Sequence, residues 1–216
     1  ELFDFNKLAP GQIFWKPKGW TAYRELQSYF RELEQEHQYI EISNPILYNK
    51  ELFEKSGHWE HYKDNMFILQ DGEDTLCLKP MNCPDTMVFF GSKKRSYREL
   101  PMRVAEFGML HRNELAGALS GATRVRQFCQ DDAHIFATED QVGGEIALML
   151  ELVDKTYGMF GVDYHLEFST RPDKFMGEVA QWDSAEAALK KALDESGRDY
   201  KINEGDGAFY GPKIDI

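Results

Sequence analysis

The chain has 216 residues and carries 25 Lys and Arg against 37 Asp and Glu, a formal net charge of −12, which excludes the broad basic surface of a non-specific polynucleotide binder. Hydrophobic residues at 42% and aromatics at 13% suffice for a folded core and argue against a disordered class. No apolar run reaches the ~18–20 residues of a membrane span and no signal-peptide pattern opens the chain, so the expectation is a soluble, cytoplasmic protein built as one domain, residues 1–216.

Glu1 to Lys18, with Pro10, Gly11 and Pro17 and with Gly19 next to it, has no initiator Met; it reads as loop with short extended pieces, opening a fragment of something longer. Tyr23, Leu26, Tyr29, Phe30 and Leu33 then recur at helical spacing, which predicts an amphipathic helix from Trp20 to about Gln38 with Thr21 as N-cap. Ile40, Ile42 and Pro45 suggest a strand stopped by proline, and Asn49 to His58 a short helix ending near Gly57. His58 and His61 share helical spacing but have no third ligand nearby, so packing or solvated histidines are the default reading. Met66–Leu69 and Thr75–Leu78 flank the turn-forming QDGED as a hairpin. KPMNCP, Lys79 to Pro84, leads into a helix. A thiol at a helix start is favoured as thiolate, which leaves Cys83 open between an inert and a functional role. Three cysteines, Cys77, Cys83 and Cys129, form no CxxC pair and give no disulfide framework.

Met102 to Phe136 has the pattern of two strands joined by a long polar loop. Side chains alternate along a strand, so Arg124, Arg126, Phe128, Gln130, Asp132 and His134 project the same way. Such a face buries poorly unless it meets something polar, and it reads as a ligand-binding floor; a bulge would break the row. Arg126 is assigned only a salt bridge. Thr138 with Gln141 fits a capping box opening a helix to about Phe160. Val162–Thr170 is a strand, Trp182–Ser196 a helix with Gly197 past its end, and Tyr200–Asn203 and Ala208–Ile216 are strands about EGDG. The order predicts an α+β fold with a largely antiparallel sheet flanked by helices. There is no GxxxxGK[ST], GxGxxG, GxSxG or HExxH.

RVAEFGMLHRNE followed by RVRQFCQDDAHIF resembles motif 2 of the class II aminoacyl-tRNA synthetases. Together KPMNCP, SGHWEHY, QDDAHIF, STRP and GAFYGPKIDI resemble the catalytic domain of the threonyl-tRNA synthetase family, in order along essentially the whole chain. The resemblance implies activation of threonine by ATP and transfer to tRNA(Thr). It also implies a homodimer formed through the helix–strand segment ending at Pro45, which is similar to motif 1. The alternatives are a synthetase-like binding or regulatory module, an inactive fragment, or a prolyl or seryl enzyme of the same subclass.

The implied chemistry is in-line attack of a carboxylate on an α-phosphate, which needs two anions held together and charge neutralised. The resemblance gives Arg112 the carboxylate and α-phosphate, Glu114 the adenine amino group, Arg124 the distal phosphates and Phe128 the adenine face, with Val125 also at ATP and Mg²⁺ accompanying it. Met81, Gln130, Asp132 and Tyr210 would meet threonine, Lys213 would close over it, and His58 would assist transfer near the terminal ribose of tRNA. Cys83 and His134 resemble two of three zinc ligands, a soft thiolate and an imidazole suited to Zn²⁺. The third zinc histidine and motif 3 are expected beyond the last residue. Asp85 and Thr86 stand where the family usually has Gly-His, and Cys129, facing away from the zinc row, is read as packing.

Overall fold

The computed structural model describes residues 1–216, which divide into two compact units, Glu1–Phe136 and Ala137–Ile216. In the first, β1 (Phe3–Asp4) and β2 (Phe14–Trp15) pair antiparallel ahead of helix α1 (Pro17–Glu36). The helix starts three residues before the apolar pattern does, because Pro17 supplies a first-turn φ and has no N–H to satisfy. Thr21 is therefore inside the helix, one turn past its start, its Oγ1 donating to the Pro17 carbonyl at 3.0 Å, and Lys16 is the N-cap instead. Gly19 is obligatory there: a Cβ would lie 1.9 Å from the Leu2 carbonyl oxygen.

The proline-edged segment splits in two. Strand β3 (Ile40–Glu41) runs parallel to the later strand β7 (Met102–His111), whereas β4 (Leu47–Asn49), past Pro45, joins a different sheet. Asn49 caps α2 (Lys50–Lys55) by accepting from the Glu51 amide at 3.0 Å, and Gly57 takes the left-handed conformation at φ 77° before α3 (His58–His61). The hairpin β5 (Ile68–Asp71) and β6 (Asp74–Leu78) follows about the predicted turn and pairs with β4. A small core of Phe53, Met66 and Cys77, flanked by Tyr48, Leu52, Trp59 and Tyr62, lies among these elements. Helix α4 (Cys83–Gly91) follows KPMN and presents Phe90, stacked 3.8 Å from Phe136, while β7 pairs antiparallel with β8 (Gln127–Phe136).

The second unit is helix-rich. Helix α5 (Glu139–Phe160) opens with the Thr138 amide donating to Gln141 Oε1 at 3.0 Å and closes on left-handed Gly161. Strand β9 (Leu166–Ser169) sits between parallel β10 (Tyr200–Asn203) and antiparallel β11 (Lys213–Asp215), and helix α6 (Val179–Ser196) connects β9 to β10. The predicted last strand is shorter than Ala208–Ile216 because Ala208 and Gly211 bridge in a tight turn first. Ile146, Leu150, Leu166, Phe168, Ala192 and Leu193 form this unit's core. Most pairings in the chain are antiparallel; β3–β7 and β9–β10 are the parallel exceptions.

Candidate active site

The β7–β8 ladder runs without a break from Met102 opposite Phe136 to His111 opposite Gln127, and the Arg112 amide continues it by donating to the Arg126 carbonyl at 3.0 Å. No bulge interrupts β8, so Phe128, Gln130, Asp132 and His134 share one face. Arg126 and Arg124 precede the strand. Arg126 Nε donates to the Glu114 backbone carbonyl at 2.9 Å. A main-chain oxygen thus takes the group for which a salt bridge was expected, tying the loop between the strands to its own base.

Where the loop meets β8, Arg112, Glu114, Thr123, Arg124, Val125 and Phe128 line one pocket of about 460 Å³. The Arg112 guanidinium stands 5.0 Å from the Phe128 ring centroid and 5.9 Å from that of Tyr62, and its Nε donates to the Pro80 carbonyl at 3.2 Å. It is thus held between two aromatic faces with its fork undirected by any carboxylate. Arg124 Nε pairs with Glu114 Oε2 at 3.1 Å; its side chain is 59% exposed against 14% for Glu114, so the arginine reaches solvent while the carboxylate is largely covered.

At the other end of the row, Cys83 opens α4 and Asn82 precedes it. Burial, and then the charges of Asp132 and Asp85, push the Cys83 thiol up to about 11. A cation bound there would reverse that balance by favouring the thiolate. The surroundings suit a cation: besides Asp132, the buried oxygens Asn82 Oδ1 and Asp85 Oδ1 have no hydrogen-bond partner. Cys83 and His134 fit Zn²⁺ by donor chemistry, but no three His, Cys, Asp or Glu side chains among the described residues are grouped to hold a metal. Met81 stacks its sulfur 3.2 Å from His58 Nε2, and Ser56 Oγ meets His58 Nδ1 at 2.9 Å. His58 is 3% exposed and burial holds its pKa below the usual histidine value.

Sequence reasoning passed over the group beneath this end. Lys79, 1% exposed, donates to Asp85 Oδ2 at 2.7 Å and Glu106 Oε1 at 3.1 Å. Tyr48 donates to Asp85 as well, and the Asn44 amide and Nδ2 both donate to Glu106. Asp85, where the family pattern has glycine, is therefore a member of a buried charge network. A lysine is rarely fully buried, so only KPMNCP itself hinted at the site. Cys129 lies off the polar row, in a cavity with Trp15, Trp20, Tyr23, Phe107 and Met109. Tyr210 and Lys213 belong to the second unit, where Lys213 pairs with Asp215 at 2.9 Å and Asp206 at 3.5 Å.

The profile of the tRNA synthetase class II core domain (G, H, P, S and T) matches residues 62–216, and the chain belongs to that family. Within it, the likeness is to the threonine branch. The chain is 53% identical over its full length to probable threonine–tRNA ligase 1, cytoplasmic, of Dictyostelium discoideum, covering 30% of that protein. To the cytoplasmic threonine–tRNA ligase of Saccharomyces cerevisiae it is 51% identical over its full length, covering 29% of that protein. The chain therefore spans about three-tenths of the length of these relatives. A crystal structure described as the RNA binding domain of threonyl-tRNA synthetase from Cryptosporidium parvum Iowa II superposes with a TM-score of 0.93 at 48% identity, over all of this chain and 54% of that one.

Proposed function

We propose that this chain is the aminoacylation core of a threonine–tRNA ligase, activating threonine with ATP and passing it to tRNA(Thr). The observation that carries the reading is that all five positions the resemblance gives to ATP, Arg112, Glu114, Arg124, Val125 and Phe128, line a single pocket of about 460 Å³, within the usual range for small-ligand sites. In this reading residues 1–216 act as one catalytic domain, which the family match across residues 62–216 supports.

Arg112, already held over Phe128, neutralises charge as the threonine carboxylate meets the α-phosphate. Phe128 offers a ring face to adenine and Glu114 accepts from its amino group. Arg124, being exposed, moves from Glu114 to the distal phosphates, which enter with Mg²⁺. Met81, Gln130 and Asp132 contact threonine, and His58 assists transfer to the tRNA ribose once Met81 uncovers it; Tyr210 and Lys213, in the second unit, keep the substrate roles that the resemblance gives them. Cys83 and His134 would hold Zn²⁺, which would supply a contact for amino and hydroxyl groups that valine, lacking the hydroxyl, cannot complete. Serine differs from threonine by one methyl, worth about 1–3 kcal/mol, so its exclusion calls for editing elsewhere.

A homodimer through the segment ending at Pro45 is supported by exposed Trp20, Leu26 and Ile40 there. A cytoplasmic site of action rests on the names of the Dictyostelium and yeast relatives and agrees with the lack of any helix long and apolar enough to cross a membrane. The test is threonine-dependent ATP–pyrophosphate exchange by the full-length parent. Exchange with threonine but not proline is expected, and its absence overturns the reading. Metal analysis of the same sample should give about one zinc per chain.

A further inference from the structure

Asn82 belongs to neither the nucleotide pocket nor the pair of zinc-ligand candidates, yet it is 1% exposed and its Nδ2 donates to Asp132 Oδ2 at 3.0 Å, fifty residues along the chain. The path between them crosses β7. An ideal Cβ on Gly108 would lie 2.1 Å from Asn82 Oδ1, 2.4 Å from Nδ2 and 2.5 Å from Cγ. The carboxamide thus lies flat in a slot that only a glycine leaves open. Gly108 pairs with Gln130 in the ladder, and Glu106, two residues before it, pairs with Asp132.

The donor is itself rigidly held. The Asn82 carbonyl accepts from the Thr86 amide at 3.1 Å and from Thr86 Oγ1 at 3.0 Å. Asp85, in the same helical turn, is bonded to Lys79, and Lys79 to Glu106 on β7. The first turn of α4 is therefore clamped to the strand over which Asn82 reaches. A carboxylate has two oxygens; with Oδ2 engaged by a fixed amide donor, its rotation is set and Oδ1 is left to accept from a ligand.

We propose that Asn82 is a positioning residue for amino-acid selection: slotted over Gly108, it commits one oxygen of Asp132 and orients the other toward the side-chain hydroxyl of the substrate. This rests on the reading of Asp132 as a threonine contact given above. Partners one step removed from a binding group typically change affinity or activity by about 10- to 100-fold when removed.

The experiment is pyrophosphate exchange by the full-length parent carrying Asn82→Ala, Asn82→Asp, Gly108→Ala, or Asn82→Ala with Gly108→Ala. Each single change should raise the KM for threonine about 10- to 100-fold and lower the preference for threonine over valine, with the KM for ATP and the zinc content unchanged. The double variant should be no worse than Asn82→Ala alone, because the new methyl then enters an emptied slot. Equal rises in both KM values, additive losses, or an unchanged threonine KM would each overturn the proposal. Asp132→Ala separates the two levels. If it raises the threonine KM while Asn82→Ala does not, only the role of Asn82 fails; if it changes nothing, the reading beneath it fails as well.

Discussion

In the first unit Lys79, Asp85 and Glu106 lie at 1–5% exposure around a shared set of hydrogen bonds, whereas the second packs Ile146, Leu150, Leu166, Phe168, Ala192 and Leu193 together and leaves ion pairs such as Arg171–Asp183 and Lys190–Asp194 near solvent. The two arrangements do different physical work. Apolar burial is non-directional and stabilises roughly in proportion to area. A buried ion network gains little net energy, because desolvation offsets attraction, but its members tolerate only one geometry. The first unit accepts that cost next to Cys83, Asn82 and Asp132; the core of the second is built from apolar side chains alone.

The largest expected effect is from Lys79→Met. It leaves two buried carboxylates facing each other and should lower stability by about 3–5 kcal/mol, read as a drop in the urea midpoint. Adding Asp85→Leu and Glu106→Leu should recover most of that stability without recovering threonine activation. If the single variant is as stable as wild type, the contrast between the units collapses.

Leu193→Ala, at a site with 0% exposure, should cost about 2–5 kcal/mol. Because this core has no chemistry to position, the KM values of the folded variant should stay at the wild-type level. A changed threonine KM would mean that the apolar core also sets the placement of Tyr210 and Lys213 in the same unit.

A pH effect sharpens the picture within the first unit. Burial, then the neighbouring Asp131 and Glu41, raise the Glu34 carboxyl to about 8 from 4.5, against the opposing pull of Arg31. The folded state then binds this proton more tightly than the unfolded chain does. The contribution is complete below about pH 4.5 and is lost as pH rises toward 8. Glu34→Gln should therefore raise the denaturation midpoint at pH 8 and leave it unchanged at pH 4; equal shifts at both would refute the assignment. The smallest effect belongs to the α5 cap, where Gln141→Ala removes the acceptor for the Thr138 amide and should cost at most about 1 kcal/mol by thermal melting.

Much of both units was legible along the chain, for local reasons. Helix α5 ends where Thr138–Gln141 and Gly161 say it should, since capping and left-handed glycine act within one turn. The polar row of β8 follows from strand alternation alone, and the unbroken register preserves it. The start of α1 was misplaced by three residues because the apolar stripe begins only after Pro17 and Gly19, whose roles are a first-turn φ and a close approach to Leu2.

What the sequence by itself determined is the α+β order of elements, the helix ends set by caps, and the identity of the row from Phe128 to His134, because those depend on neighbours within a few residues. Only the tertiary structure decided that Lys79 is buried, that Arg126 serves a backbone carbonyl, and that Gly108 makes room for Asn82 to reach Asp132. Burial and distant hydrogen bonds depend on which segments are brought together in space. A lysine, an asparagine or a glycine carries no mark of that in its own stretch of chain.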